Sequence, residues 1–107
     1  MTDKRIILST AGSREEADRL ASALLERRLA ACVNVVGPVA STYRWQGKVE
    51  HADEFLLLIK STDARFAAVA AAIKELHSYE LPECVELEVT AGSDAYLEWI
   101  AENVKPD

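Results

Sequence analysis

Two strand-prone runs joined by one tight turn limit what this chain can become. Residues 31–45 (ACVNVVGPVASTYRW) and 48–60 (KVEHADEFLLLIK) flank Gln46-Gly47. A two-residue connection ending in glycine, which takes positive φ at no steric cost, predicts one continuous hairpin. At roughly 3.3 Å per residue each arm would extend about 40–45 Å if straight. A compact chain of this length should have a radius of gyration near ~13 Å. The hairpin must therefore bend, or project beyond its own core. Gly37-Pro38 interrupts the first arm. Proline has no amide to give to a ladder, so a bulge or bend is predicted there. The returning arm starts polar (Lys48, Glu50, His51, Asp53, Glu54) and is wholly apolar over residues 55–59. The apolar end belongs in a sheet and the polar start in the projecting part. Ser41, Tyr43 and Trp45 alternate onto one face near the tip. Large aromatics are costly to leave in water, so Tyr43 and Trp45 are expected to anchor an interface.

Composition narrows the partners. The chain has 107 residues, half of them apolar, which is enough for a single domain over 1–107 with a real core. A formal charge of −6 argues against nucleic acid and against an anionic membrane surface. The longest apolar run, residues 55–59, is too short to cross a bilayer, and the first residues lack an export-signal pattern. A cytoplasmic location is expected. Cys32 and Cys84 each fall in a predicted strand. Without export they read as reduced thiols in the core rather than as a disulfide or a metal pair.

The order of elements follows from local patterning. Residues 5–11 (RIILSTA) predict a first strand. Ser13 then opens a helix, and Ser13-Arg14-Glu15-Glu16 fits a capping box in which Glu16 reaches back to the Ser13 amide. Ala17, Leu20, Ala21, Leu24 and Leu25 form its apolar stripe, and Arg27 and Arg28 suit its C-terminus. After the hairpin, Thr62 or Asp63 caps a second helix with a stripe of Phe66, Val69, Ala70, Ile73 and Leu76. Residues 84–90 form a last strand, with Val85, Leu87 and Val89 opposite Glu86 and Glu88. Ser93 or Asp94 caps a C-terminal helix bearing Tyr96, Leu97, Trp99 and Ile100. The sum is an α+β fold: a ferredoxin-like βαββαβ antiparallel sheet with a long hairpin between its second and third strands and an additional C-terminal helix. Helices cover one face of such a sheet, yet the middle strands are apolar on both. Other copies of the chain are expected to cover the second face, through the hairpin and the sheet edges.

Several of these stretches together resemble a known family. A-A-C-V-N-V at 30–35, S-x-Y-x-W-x-G-K at 41–48, Glu54 with the apolar run, and I-K-S-T at 59–62 occur in order. H-S-Y-E-L-P-E at 77–83 is similar to H-P-Y-x-x-P-E, with Ser78 in place of proline, and Y-L-x-W at 96–99 closes the set. The chain resembles the CutA divalent-cation tolerance proteins over nearly its whole length. The resemblance implies a homotrimer wrapped by the long hairpin, and a role in the response to copper and other divalent ions. Copper-binding members of that family tend to carry a cysteine near the end of the first strand and a histidine pair before the P-Y step. Here those positions read Ser9, Leu76 and His77. What remains is a weak site for Cu(II) or another divalent cation at His77, with Glu83 as its carboxylate, because Cu(II) favours several N or O donors.

The residues also have plainer readings. His77 suits a helix C-terminus, where it meets free carbonyls. Glu83 either accepts loop amides or faces a cleft. His51, beside Glu50 and Asp53, reads as a solvated charge cluster. No G-x-S-x-G, P-loop, H-E-x-x-H or paired Cys/His pattern marks an enzyme, and no catalytic residue is assigned. Two other functions fit the same residues: a trimeric small-molecule sensor of the PII kind, and a non-catalytic trimeric scaffold.

Overall fold

The computed structural model describes residues 2–104. Strand β1 (Lys4–Ala11) leads into helix α1 (Arg14–Glu26), followed by β2 (Cys32–Trp45) and β3 (Lys48–Thr62). A single 3-10 turn (Asp63–Arg65) precedes α2 (Phe66–Leu76), then come β4 (Val85–Glu88) and α3 (Asp94–Asn103). The sheet order is β2-β3-β1-β4, and every neighbouring pair is antiparallel. This is the expected ferredoxin-like arrangement with its extra helix.

Strand alternation sorts the sheet into two faces. Ile7 and Ala11 of β1 and Leu57 and Ile59 of β3 are buried with Ala17, Leu20 and Leu24 of α1 and Val69, Ala72 and Ile73 of α2. Burying a side chain of this size contributes about 1.5–3 kcal/mol, so this cluster is the main source of stability. The opposite face is apolar too. Register aligns Leu58 with Leu8 and Leu8 with Val85, Leu56 with Val36, and Ile6 with Leu87. Helix α3 covers one corner of the domain through a separate cluster of Ala31, Ile100 and Val104, flanked by Leu97. Val36, Val85 and Leu87 remain nearly half exposed.

Several local expectations need correction. Glu16 does not reach back to the Ser13 amide. Ser13 Oγ does accept the Glu16 amide at 3.2 Å, but the Glu16 carboxylate accepts the Ser78 amide at 2.8 Å instead. Leu25 and Leu76 fit their apolar stripes by spacing yet are about 40% exposed, because each lies at the rim of its helix face. The stripe of α2 buries Ala72 rather than Ala70. The last strand is shorter than 84–90, since its pairing with β1 ends at Val85 and Glu88. Arg27 caps α1 from outside its last turn and pairs with Glu75 at 3.3 Å.

The hairpin both bends and projects. Pairing slips between Val36 and Val39, where the Gly37-Pro38 peptide is cis. A Cβ on Gly37 would lie 2.5 Å from Phe55 Cδ2, so only glycine fits against that ring. At the tip, Gln46 (φ 50°) and Gly47 (φ 81°) form the expected positive-φ turn. Residues 42–51 are exposed along both arms. The molecule measures 44 × 25 × 21 Å with a radius of gyration of 14.2 Å. That exceeds the compact expectation of ~13 Å, in keeping with an arm outside the core.

Candidate functional site

The loop of residues 77–83 crosses the base of the hairpin, and its side chains are held by elements distant in sequence. His77 ends α2 with a fully buried side chain. Its Nε2 lies 2.6 Å from the Thr10 carbonyl at the end of β1. A carbonyl only accepts, so Nε2 carries the proton. Nδ1 then accepts the Tyr79 amide at 3.0 Å. Both ring nitrogens are thus engaged with backbone. Glu16 Oε2 sits 3.6 Å from Nδ1 while it accepts the Ser78 amide. Burial pushes the Glu16 carboxyl up, but hydrogen bonding from Ser78 outweighs it and holds the group below the usual glutamate range.

Tyr79 extends this chain of contacts to the hairpin. Its ring lies 4.6 Å from the His77 ring, tilted by 41°. Its hydroxyl donates to Glu54 Oε2 at 2.8 Å. Burial first, and then the Glu54 carboxylate, raise the phenol well above its ordinary range, so Tyr79 is a hydrogen-bond donor at neutral pH. Glu54 is only 8% exposed and belongs to β3, just before the apolar run.

Between the loop and the hairpin lies an open cleft of about 540 Å³. Tyr43 and Trp45 from β2, Tyr79 and Leu81 from the loop, and Thr10, Ser41 and Thr42 line it with three carboxylates, Glu54, Glu80 and Glu83. Tyr43 and Trp45 are 44% and 40% exposed, so they form its rim. Glu83 lines this cleft, one of its two expected placements, whereas the His77 side chain is buried and does not line it. The two residues expected to share an ion are therefore not both presented to the cleft. Among the described residues no group of three or more His, Cys, Asp or Glu converges to hold a metal ion. Ser9 is buried, Leu76 is exposed, and neither lines the cleft.

The remaining candidates are peripheral. His51 Nδ1 lies 3.2 Å from the exposed Thr42 hydroxyl on the hairpin arm. The core placement within strands expected of Cys32 and Cys84 needs correction, because both are only partly buried: Cys84 packs against the core just before β4, and Cys32 opens β2 outside the core cluster. Burial, with Glu83 and Glu86 nearby, pushes the Cys84 thiol up. No helix among the described residues is long and apolar enough to cross a membrane. The residues that sequence reading underused are Thr10, Glu16, Glu54 and Tyr79. Glu16 and Glu54 carried a usable signal: each is a carboxylate beside an apolar run that buries it.

Comparison with known proteins places this geometry in context. A family model described as CutA1 divalent ion tolerance protein matches residues 5–103. The divalent-cation tolerance protein CutA of Thermus thermophilus is 45% identical over 100 residues, spanning 94% of this chain and 97% of its own. The crystal structure of CutA from Xylella fastidiosa superposes with a TM-score of 0.94 at 38% identity, covering 97% of this chain and all of its own. The structure of the periplasmic divalent cation tolerance protein CutA from Archaeoglobus fulgidus does so with a TM-score of 0.93 at 41% identity, covering 95% and 99%.

Proposed function

Because this chain belongs to the CutA1 divalent ion tolerance family, we propose that it is a non-catalytic, cytoplasmic homotrimer that takes part in the response to copper and other divalent ions. The observation that carries the assembly is the uncovered sheet face, where Leu8, Leu56 and Leu58 adjoin the half-exposed Val36, Val85 and Leu87. An apolar patch of this kind marks an association surface, and copies arranged about a closed rotational axis cover one another. The projecting hairpin, with Tyr43 and Trp45 near its tip, reaches the neighbouring copy.

The part played by ions is electrostatic first. A formal charge of −6 and the cleft carboxylates raise the local concentration of cations. Direct ligation through His77 and Glu83 is weak in this reading. A metal on His77 would have to displace the Thr10 carbonyl or the Tyr79 amide. Residence in the cytoplasm is part of this reading. Cell fractionation tests it, since the Archaeoglobus relative is described as periplasmic.

Light scattering on the full chain tests the assembly. A mass near three times 11.8 kDa supports it, and a stable monomer overturns it. Calorimetric titration with Cu(II), with His77→Ala as control, tests ligation. Saturable heats lost in the variant support a site at His77, and equal heats in both proteins exclude it. The cleft favours a second reading, a trimeric small-molecule sensor of the PII kind. A melting-temperature screen against nucleotides and metabolites checks it, and no shift with any compound counts against it.

A further inference from the structure

We propose that the hairpin tip of one copy docks on the outer face of α3 of the next, so that Trp45 and Lys48 meet Tyr96, Trp99 and a row of carboxylates beside them. This rests on the trimeric reading and says which two surfaces meet. The first ground is charge. Residues 42–49 of the tip are exposed and carry Arg44 and Lys48 with no acidic side chain. Helix α3 carries Asp94, Glu98 and Glu102, all exposed, and no lysine or arginine. Their four-residue spacing lines them up along one side of the helix, where like charges oppose one another unless a cation covers them. Among the described residues none of these five charges has an ion-pair partner.

The second ground is the aromatic surface on both sides. The Tyr96 and Trp99 rings stack at 5.5 Å and stay 44% and 41% exposed. Trp45 is 40% exposed, and its cross-strand partner is Lys48, so indole and ammonium share one face of the tip. Large exposed aromatics anchor interfaces. A lysine or arginine is held by an aromatic face as well as by a carboxylate. Two tips would set cation against cation, and two α3 faces anion against anion. Only a tip on α3 matches both charge and ring.

The third ground is reach. Helix α3 packs beside the start of β2, where Ala31 joins Ile100 and Val104. The tip lies at the other end of that 14-residue strand. At roughly 3.3 Å per residue the two are separated by about 40 Å. A chain therefore cannot cover its own α3 with its own tip, and the two surfaces meet only between copies. They are different patches, so the contact is head-to-tail. A head-to-tail contact that closes gives a ring, as a trimer requires.

Light scattering of the full chain through dilution and urea titration, at low ionic strength, reads the contact. Arg44→Glu with Lys48→Glu sets acid against acid, and Glu98→Lys with Glu102→Lys sets base against base. Each pair should raise the apparent dissociation constant of the trimer about a hundredfold, the scale of like charges set together at an interface. All four residues are exposed, so the fold is retained. The fourfold variant restores opposite charges and should recover most of the loss. In the Trp99→Phe trimer, acrylamide should quench Trp45 poorly, and more strongly once either pair is added. The proposal is overturned by a parent of trimeric mass whose pair variants dissociate as it does, or by a fourfold variant that recovers nothing. It is equally overturned by a trimer in which Trp45 is as open to acrylamide as free tryptophan, which would leave the tip for another partner. A parent that is monomeric at every concentration instead overturns the trimeric reading itself, and this contact with it.

Discussion

The Tyr79 hydroxyl donates to the Glu54 carboxylate at 2.8 Å and thereby ties the 77–83 loop to the base of the hairpin. The Tyr79 ring also packs, tilted, against His77, whose ring bridges the end of β1 to the loop backbone. One contact therefore couples the position of the loop to that of the projecting arm.

That coupling has an alkaline signature. The folded phenol of Tyr79 titrates above its unfolded value of about 10. A raised pKa contributes stability that is fully present below the unfolded value and is lost as pH rises beyond it. In Tyr79→Phe this alkaline loss should flatten. The variant should also be less stable near neutral pH by about 1–3 kcal/mol, because Glu54 keeps its burial and loses its donor. Denaturant titrations at several pH values measure both effects. A pH profile unchanged by the substitution would mean that Tyr79 ionises freely.

Glu16 has the opposite sign. Its folded pKa is depressed, so its contribution is present above the unfolded carboxylate value of about 4.3 and disappears as pH falls through the folded value. Acid unfolding of the parent should therefore be steeper than that of Glu16→Gln over the same range. Parallel acid profiles would assign the depression to some other carboxylate.

Val85 sits nearly half exposed on the open sheet face, aligned with Leu8. Val85→Glu should change the stability of an isolated chain by no more than about 0.5 kcal/mol, as for most surface substitutions. It should nonetheless dissociate the proposed trimer, by placing a charge in an apolar contact. Sedimentation of parent and variant separates the two effects, and an intact assembly in the variant would show that this face is not the contact. Trp45→Ala should weaken the same assembly without dissolving the subunit.

Gly37 has no space for a methyl group beside Phe55. Gly37→Ala should cost about 1–3 kcal/mol through overpacking at the bulge. Thermal melts read the loss. A simultaneous Phe55→Leu change should restore part of it, because Phe55 is the neighbour that crowds the new methyl.

The architecture was legible because its signals are local. The turn at Gln46-Gly47, the break at Gly37-Pro38 and the cap at Ser13 each depend on residues within one turn of chain, where propensity and sterics act directly. The site was less legible because its contacts join distant residues. His77 meets Thr10 across 67 positions, Ser78 meets Glu16 across 62, and Tyr79 meets Glu54 across 25. Glu16 illustrates the difference: its spacing from Ser13 fits a capping box, yet a loop amide competes for the same carboxylate and wins. Leu25 and Leu76 show the same limit on helices, since period alone does not say where an apolar stripe meets the rim of its sheet.

By itself the sequence determined the element order, the long hairpin and the apolar character of both sheet faces, all consequences of periodicity and turn chemistry. Only the tertiary structure decided that both His77 nitrogens are engaged, that Glu83 faces a cleft His77 does not line, and that Glu54 is buried with the Tyr79 hydroxyl as its donor. The physical reason is that hydrogen-bond partners and burial are properties of what lies across space, and a linear pattern specifies only which residues lie near one another along the chain.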